Sequence, residues 1–477
     1  MHTVHRSLNA RVAKLVDALD LGSSSRNGVG VQVPSLAPKK RRFMVQSDKV
    51  SCAVNQQPLS NSCLFTVSVP SNITQAFFQL AAQAQQSTTQ SVGFKRGTAP
   101  ISYIQEHFKA PIVSHLKDLG LKFFGINNLI QSIHQQKIII VGTPQLTSIN
   151  IDEQGNAEYS FEGHTPKELY MQSWKYLPFR TIPRKRYRDI DKQVTSFLQE
   201  EELIQSRYKP EKGIAVGDWI CFTAWIIDKN NKPVFDKHTS PIWLKIGDEE
   251  PDVLFQNLFL GKHIKDRIVT DNSSLQNYFC EASNAHYTYI IEIKDIVPYG
   301  SFSFDLFKQY FKIKTQKDLL SKITEVFSFN NDISQRRLIS NEALKLIIKK
   351  NHIILPDAAI SAQKKLILTD LQFKPDFIIY KQDPQFETHI TNMAKRQLLD
   401  SVVADHVGYQ DNLSVNPTDM KAILQITQRP RLKDFLYFPF IKTQLNGQEF
   451  PVESESLQQF CLREKAVNHI IHHLTKK

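Results

Sequence analysis

The chain has 477 residues, of which 41% are apolar and 22% charged, and a formal charge of +12. That composition excludes a collagen-like or largely disordered chain, and at ~100–200 residues per domain the length implies about three domains. The basic balance admits a polyanionic partner, and its distribution along the chain decides how much that means.

Half of the excess lies in residues 1–43, which hold 8 Lys+Arg against 2 Asp+Glu. Residues 11–26 and 31–38 resemble the peptide produced when a transfer-RNA gene is translated, so a false start with the true one at Met44 is expected. A disordered basic tail ending at Arg42 is the other reading. From 44 to 165 the pattern is α+β. A strand over 64–69 alternates apolar and polar residues and stops at Pro70. Ser71 or Asn72 can then cap a helix carrying Ile73, Phe77, Leu80 and Ala84 on one face. Gly93-Phe94-Lys95-Arg96-Gly97-Thr98-Ala99-Pro100 follows, then a helical region over 101–133 and a strand over 138–141. A hairpin places Ile149 and Ile151 against Tyr159 and Phe161.

Residues 166–204 form a linker and the start of a further domain. Tyr170, Trp174, Tyr176 and Phe179 precede the cations Arg180, Arg184, Lys185, Arg186 and Arg188, and a helix opens near Asp189. Such a mixture can grip single-stranded nucleic acid, or it can be an extended linker whose aromatics anchor it on its neighbours. Residues 205–298 are rich in β-formers, with strands over 219–227 and 287–296. From 299 to 477 the pattern is helical, with long segments over 316–327, 332–350, 356–372, 385–407, 417–428 and 456–474.

Five scattered cysteines (Cys52, Cys63, Cys221, Cys280, Cys461) contain no C-x-x-C pair, which argues against a disulfide framework and against a zinc ribbon. His469, His472 and His473 share a helix face without a Cys or carboxylate cluster, so no metal or cofactor is expected. No apolar run approaches the ~18–20 residues needed to span a bilayer. Phosphate loops, nucleophile elbows and H-E-x-x-H are all missing from the sequence. Binding is the better expectation than bond chemistry.

The octapeptide from Gly93 to Pro100 resembles the G-F-R-x-G-K-x-P motif of trigger factor, the ribosome-associated bacterial chaperone. The resemblance runs from about residue 64 to the end. It is carried also by Val69-Pro70, residues 141–144, 188–194 and 341–351, Leu355-Pro356, and residues 464–467. Lys95 stands where the family usually has Arg, and Thr98 where it usually has Lys. The resemblance implies a multidomain α+β protein with three parts: an N-terminal α+β ribosome-binding domain, an FKBP-like β-rich middle domain, and an all-α C-terminal chaperone domain. It implies docking at the tunnel exit, on ribosomal protein and RNA, through Gly93, Phe94, Lys95, Arg96, Gly97 and Pro100. Nascent polypeptides would be the clients, in the cytoplasm, without a membrane partner. A weak homodimer off the ribosome is a further expectation.

Phe307, Tyr310, Phe311, Phe435, Tyr437, Phe438 and Phe440 are candidates for client-holding patches. By the same resemblance Phe222, Phe235, Asp236 and Tyr289 match positions of a prolyl isomerase pocket, with Val253, Leu254 or Phe255 replacing the family's usual helix residues. Leu254 is the candidate there. A β-core would need the same apolar residues, and the tyrosine-bearing loop before the last strand has no clear counterpart. A ribosome-independent isomerase or holdase and an RNA-binding protein remain the competing readings.

Overall fold

The computed structural model describes residues 50–57, 61–152, 154–171, 174–184, 187–207, 213–228, 230–234, 240–279, 287–330, 332–445 and 447–476. The expected false start and the pocket candidates Phe235 and Asp236 lie outside the described residues.

The first sheet joins β1 (Ser51–Gln57), β2 (Ser62–Val69), β3 (Val141–Ile151) and β4 (Ala157–His164) in the order β1-β2-β4-β3. Alternation along β2 sends Phe65, Val67 and Val69 into the core. Ile149 faces Tyr159, so antiparallel pairing sets Ile151 opposite Ala157 rather than another aromatic, and a bulge between Leu146 and Ser148 places Phe161 opposite Leu146. The third strand begins at Val141, with Ile138 and Ile140 buried just before it. Helices Ser71–Thr88, Ile101–His107, Lys109–Gly120 and Ile126–Gln135 complete this part, the last two joined by a π-helical turn at Leu121–Gly125. Pro70 rather than Ser71 or Asn72 stands at the N-cap of the first of these helices, although Asn72 Oδ1 accepts the Ile73 amide at 2.9 Å. Asn156 Oδ1, on the hairpin, accepts the preceding Ser71 amide at 2.9 Å. Gly120 lets helix and sheet meet, since a Cβ there would lie 2.0 Å from Tyr159 Oη.

After the short strand β5 (Glu168–Tyr170), the helix Ile190–Arg207 leads to a second sheet. Its strands β6 (Trp219–Ile226), β7 (Ile242–Lys245), β8 (Arg267–Thr270) and β9 (Tyr289–Val297) lie in the order β7-β6-β9-β8. Both faces are covered. Phe222, Ala224, Ile226, Tyr289, Ile291 and Ile293 belong to one continuous core with the first sheet and its helices. There Phe123 stacks on Phe279 at 4.7 Å, and His115 on Tyr287 at 5.4 Å. Trp219, Cys221, Trp243 and Val297 face the other way, into a core with Phe302, Phe307 and Leu457.

The remaining chain is helical, over Phe304–Phe311, Gln316–Phe327, Gln335–Lys350, Asp357–Leu371, Phe377–Lys381, Phe386–Gln410, Pro417–Thr427 and Ser454–Thr475. Pro417 is the first helical residue, behind a reciprocal Asn416–Asp419 cap. This region is not purely α. Among the described residues it carries β10 (Phe329–Asn330), β11 (Ile333–Ser334), β12 (His352–Ile354), β13 (Gln444–Leu445), β14 (Gln448–Glu449) and β15 (Val452–Glu453). Strand β12 pairs with β5, and β15 adds to the second sheet beside β7. Among the described residues no helix is long and apolar enough to cross a membrane.

Candidate functional site

The Gly93–Pro100 segment is an exposed loop between the helices Ser71–Thr88 and Ile101–His107. Gly93 and Gly97 adopt φ of +84° and +82°, a region that L side chains rarely visit, so the sequence needs glycine at both bends. Across the second bend the Thr98 amide and hydroxyl both donate to the Lys95 carbonyl, at 3.0 and 2.7 Å. Pro100 ends the loop, and its carbonyl accepts the Ile104 amide at the start of the next helix. Phe94 is 36% exposed and rests with its ring 5.1 Å from that of Tyr103, which stacks in turn on His107. Lys95 and Arg96 are exposed, and among the described residues neither has an ion-pair partner. The result is an apolar tip beside two solvated cations, held by backbone geometry and by the ring of Tyr103.

The candidate isomerase residues are arranged differently. Phe222 and Tyr289 share the inner face of β6 and β9, and both are completely buried. Phe222 lies 5.0 Å from Phe259, and Tyr289 stacks on Phe279 at 5.4 Å while its hydroxyl donates to Gln276 at 3.3 Å. Phe255 is buried too, whereas Leu254 and Val253 are half-exposed on the helix Val253–Phe259. The structure therefore brings Phe222 and Tyr289 together as core and leaves Leu254 outside that core.

Three of the aromatics expected to form client patches lie inside the molecule. Phe307, Tyr310 and Phe435 are buried, and Phe311, Tyr437, Phe438 and Phe440 are partly buried against the cores of the helical region. Phe307 and Phe311, one helical turn apart, both pack on Phe435, at 5.4 and 5.0 Å. An exposed apolar surface occurs elsewhere, at residues 373–380 between the helices Asp357–Leu371 and Phe386–Gln410. Phe373, Ile378, Ile379 and Tyr380 are each more than half exposed there. The sequence signal was present: five apolar residues in eight, next to Pro375, where two long helices must turn.

In the basic linker Trp174 is buried, edge-on to His469 and His473. Phe179 and Ile182 pack on the same core, and Arg184 pairs with Asp191 at 2.7 Å. Those are the contacts of an anchored segment. His469 bonds Asp411 at 2.7 Å through Nε2. Among the described residues no group of three or more His, Cys, Asp or Glu is placed to hold a metal.

These elements define a multidomain α+β protein with a helical C-terminal region. No family model matches the chain. Trigger factor from Geotalea daltonii is 20% identical over 351 residues, covering 71% of this chain and 79% of that protein. Trigger factor from Geobacter metallireducens is 18% identical over 355 residues, covering 72% and 80%. A solved structure from a study of promiscuous substrate recognition by the trigger factor chaperone aligns with 88% of this chain and all of its own, at 14% identity and a TM-score of 0.34. The two sequence matches support assignment of the chain to the trigger factor family, and with it a chaperone function at family level.

Proposed function

We propose that the chain is a cytoplasmic chaperone that docks on the ribosome through its Gly93–Pro100 loop and holds nascent polypeptides as they emerge. The observation that carries this reading is the exposure of Phe94, Lys95 and Arg96 on a loop bent by two positive-φ glycines. An apolar ring can enter a pocket on ribosomal protein while two cations meet neighbouring RNA phosphates. Client binding falls to surfaces such as the exposed residues Phe373, Ile378, Ile379 and Tyr380, because unfolded segments vary in sequence and are met by apolar patches rather than by a shaped cleft.

Ribosome co-sedimentation tests the docking site. The Phe94→Ala/Lys95→Ala/Arg96→Ala variant should lose about tenfold or more in ribosome affinity while keeping the wild-type melting temperature, since all three side chains lie at the surface. Undiminished ribosome binding in that variant rejects the loop as the docking element. The isomerase activity that an FKBP-like module would supply draws no support from Phe222 and Tyr289, which are sealed into the core.

A further inference from the structure

The second sheet is closed along one edge by residues far away in sequence. Val452 and Glu453 pair antiparallel with Trp243 and Ile242. Without them β7 would present a row of unpaired backbone N–H and C=O groups. This ladder is two residues long. The chain leading into it is held by polar contacts on either side of one apolar pair. Gln448 Nε2 donates to Ser274 Oγ at 2.9 Å, and the Glu449 amide donates to Asp252 Oδ1 at 2.8 Å. The Tyr278 hydroxyl donates to Glu453 Oε1 at 3.0 Å. Between these anchors Pro451 is buried, and Phe450 packs against the core that contains Phe222.

The seam is also frustrated. Asp252 and Glu449 are each only 1% exposed, and each leaves one carboxylate oxygen, Asp252 Oδ2 and Glu449 Oε2, without a hydrogen-bond partner among the described residues. Gln444 Nε2 donates to Glu449 Oε1 at 2.8 Å and Lys245 answers the same oxygen from 3.3 Å, yet the other two oxygens, buried and unsatisfied, oppose closure. A two-residue ladder over two crowded acids is an attachment that can open while the four-stranded remainder of the sheet persists.

We propose that residues 447–453 are a strap that holds the place of an extended polypeptide on the β7 edge, and that an unfolded chain bearing an aromatic–Pro pair takes that place when the strap opens. Strand addition at a sheet edge draws its affinity from the backbone and therefore tolerates many sequences, while flanking pockets select side chains. Phe450-Pro451 identifies the pair that this edge accepts. The proposal rests on the chaperone reading for the source of the partner, not for the existence of the site.

The test uses the full-length chain and a fluorescent peptide of residues 442–454. A strap that occupies its own site lowers the apparent affinity for any competitor. Gln448→Ala/Glu453→Ala, which removes the bonds to Ser274 and Tyr278, should therefore bind the peptide about tenfold more tightly than wild type. Replacing Phe450 and Pro451 by Ala within the peptide should abolish binding, and a reduced, carboxymethylated protein should displace the intact peptide. Unchanged peptide affinity in a variant that melts like wild type overturns the proposal. Hydrogen exchange on the wild-type chain gives an independent reading. Added unfolded protein should speed exchange over 447–453 while 242–245 stays protected, and no change over 447–453 also overturns it. Ribosome co-sedimentation of the variant should match wild type in every case, so failure of the strap and failure of the docking loop are read separately.

Discussion

At Phe222 and Tyr289 one residue type serves two incompatible purposes, since an aromatic can floor an open pocket or fill a core. Sequence writes both with the same letter. What separates them is the covering layer: here Phe259 and Phe279 press against the two rings, and neither ring keeps exposed surface. The loop at Gly93 was more legible, because left-handed backbone geometry favours glycine and so leaves a mark in sequence. The burial difference sets a functional expectation. A prolyl bond crosses a barrier of ~18–20 kcal/mol, and lowering it requires an aromatic pocket closed around the proline, which a sheet edge that pairs through its backbone does not supply. A Phe-Pro test peptide mixed with a high concentration of the chain should therefore isomerise at its uncatalysed rate. A rate that climbs in proportion to protein concentration would sink that expectation.

Among elements, legibility followed length. The helices Gln316–Phe327, Phe386–Gln410 and Ser454–Thr475 declare themselves through sustained periodicity, whereas strands of two or three residues such as β15 and β12 exist only because a distant segment pairs with them. The helix Ser454–Thr475 also carries a charge that periodicity does not announce. Glu464 is fully buried and accepts the backbone amides of Tyr437 and Phe438 at 2.7–3.1 Å, tying the chain that follows the helical turn Leu432–Phe435 to this helix. Burial pushes its carboxyl up to about 7 from an ordinary 4.5, against the opposing pull of those amides and of Arg336. The sign follows from proton binding. Between about 4.5 and about 7 the native state holds a proton that the unfolded state has released, so this contribution is full below that window and is lost as pH rises through it. Glu464→Gln keeps one acceptor oxygen and removes the titration. Melts across pH 4.5–8 should show wild type losing stability relative to the variant as pH rises, and parallel curves would refute this. His115, which burial lowers from 6.5 to about 4, titrates with the opposite slope in both proteins and cancels from the comparison.

At the scale of the whole molecule, the β-rich stretch between 205 and 298 was visible from its β-formers, but its dependence on the rest of the chain was not. Sequence order suggests an insert joined by linkers. In the structure one face of its sheet continues into the core around Phe123 and Phe124, and the other carries Trp219 and Trp243 onto Phe440, Phe302 and Leu457. Its edge strand β15 comes from residues 452–453. These are long-range relations between surfaces that each look like an ordinary apolar face in sequence, so no local pattern encodes them. The energetic consequence is large. Fully burying one large apolar side chain contributes about 1.5–3 kcal/mol, and a whole domain is stable by only about 5–15 kcal/mol. Uncovering Trp219, Trp243, Tyr287 and Phe279 together removes an amount of the same order. An excised fragment of residues 205–298 should therefore show no cooperative thermal transition and should bind a hydrophobic dye strongly, whereas the full chain melts cooperatively. A fragment that is monomeric and unfolds in a single sharp transition would show that the two covering cores are dispensable, and that this part of the chain folds as an independent unit after all.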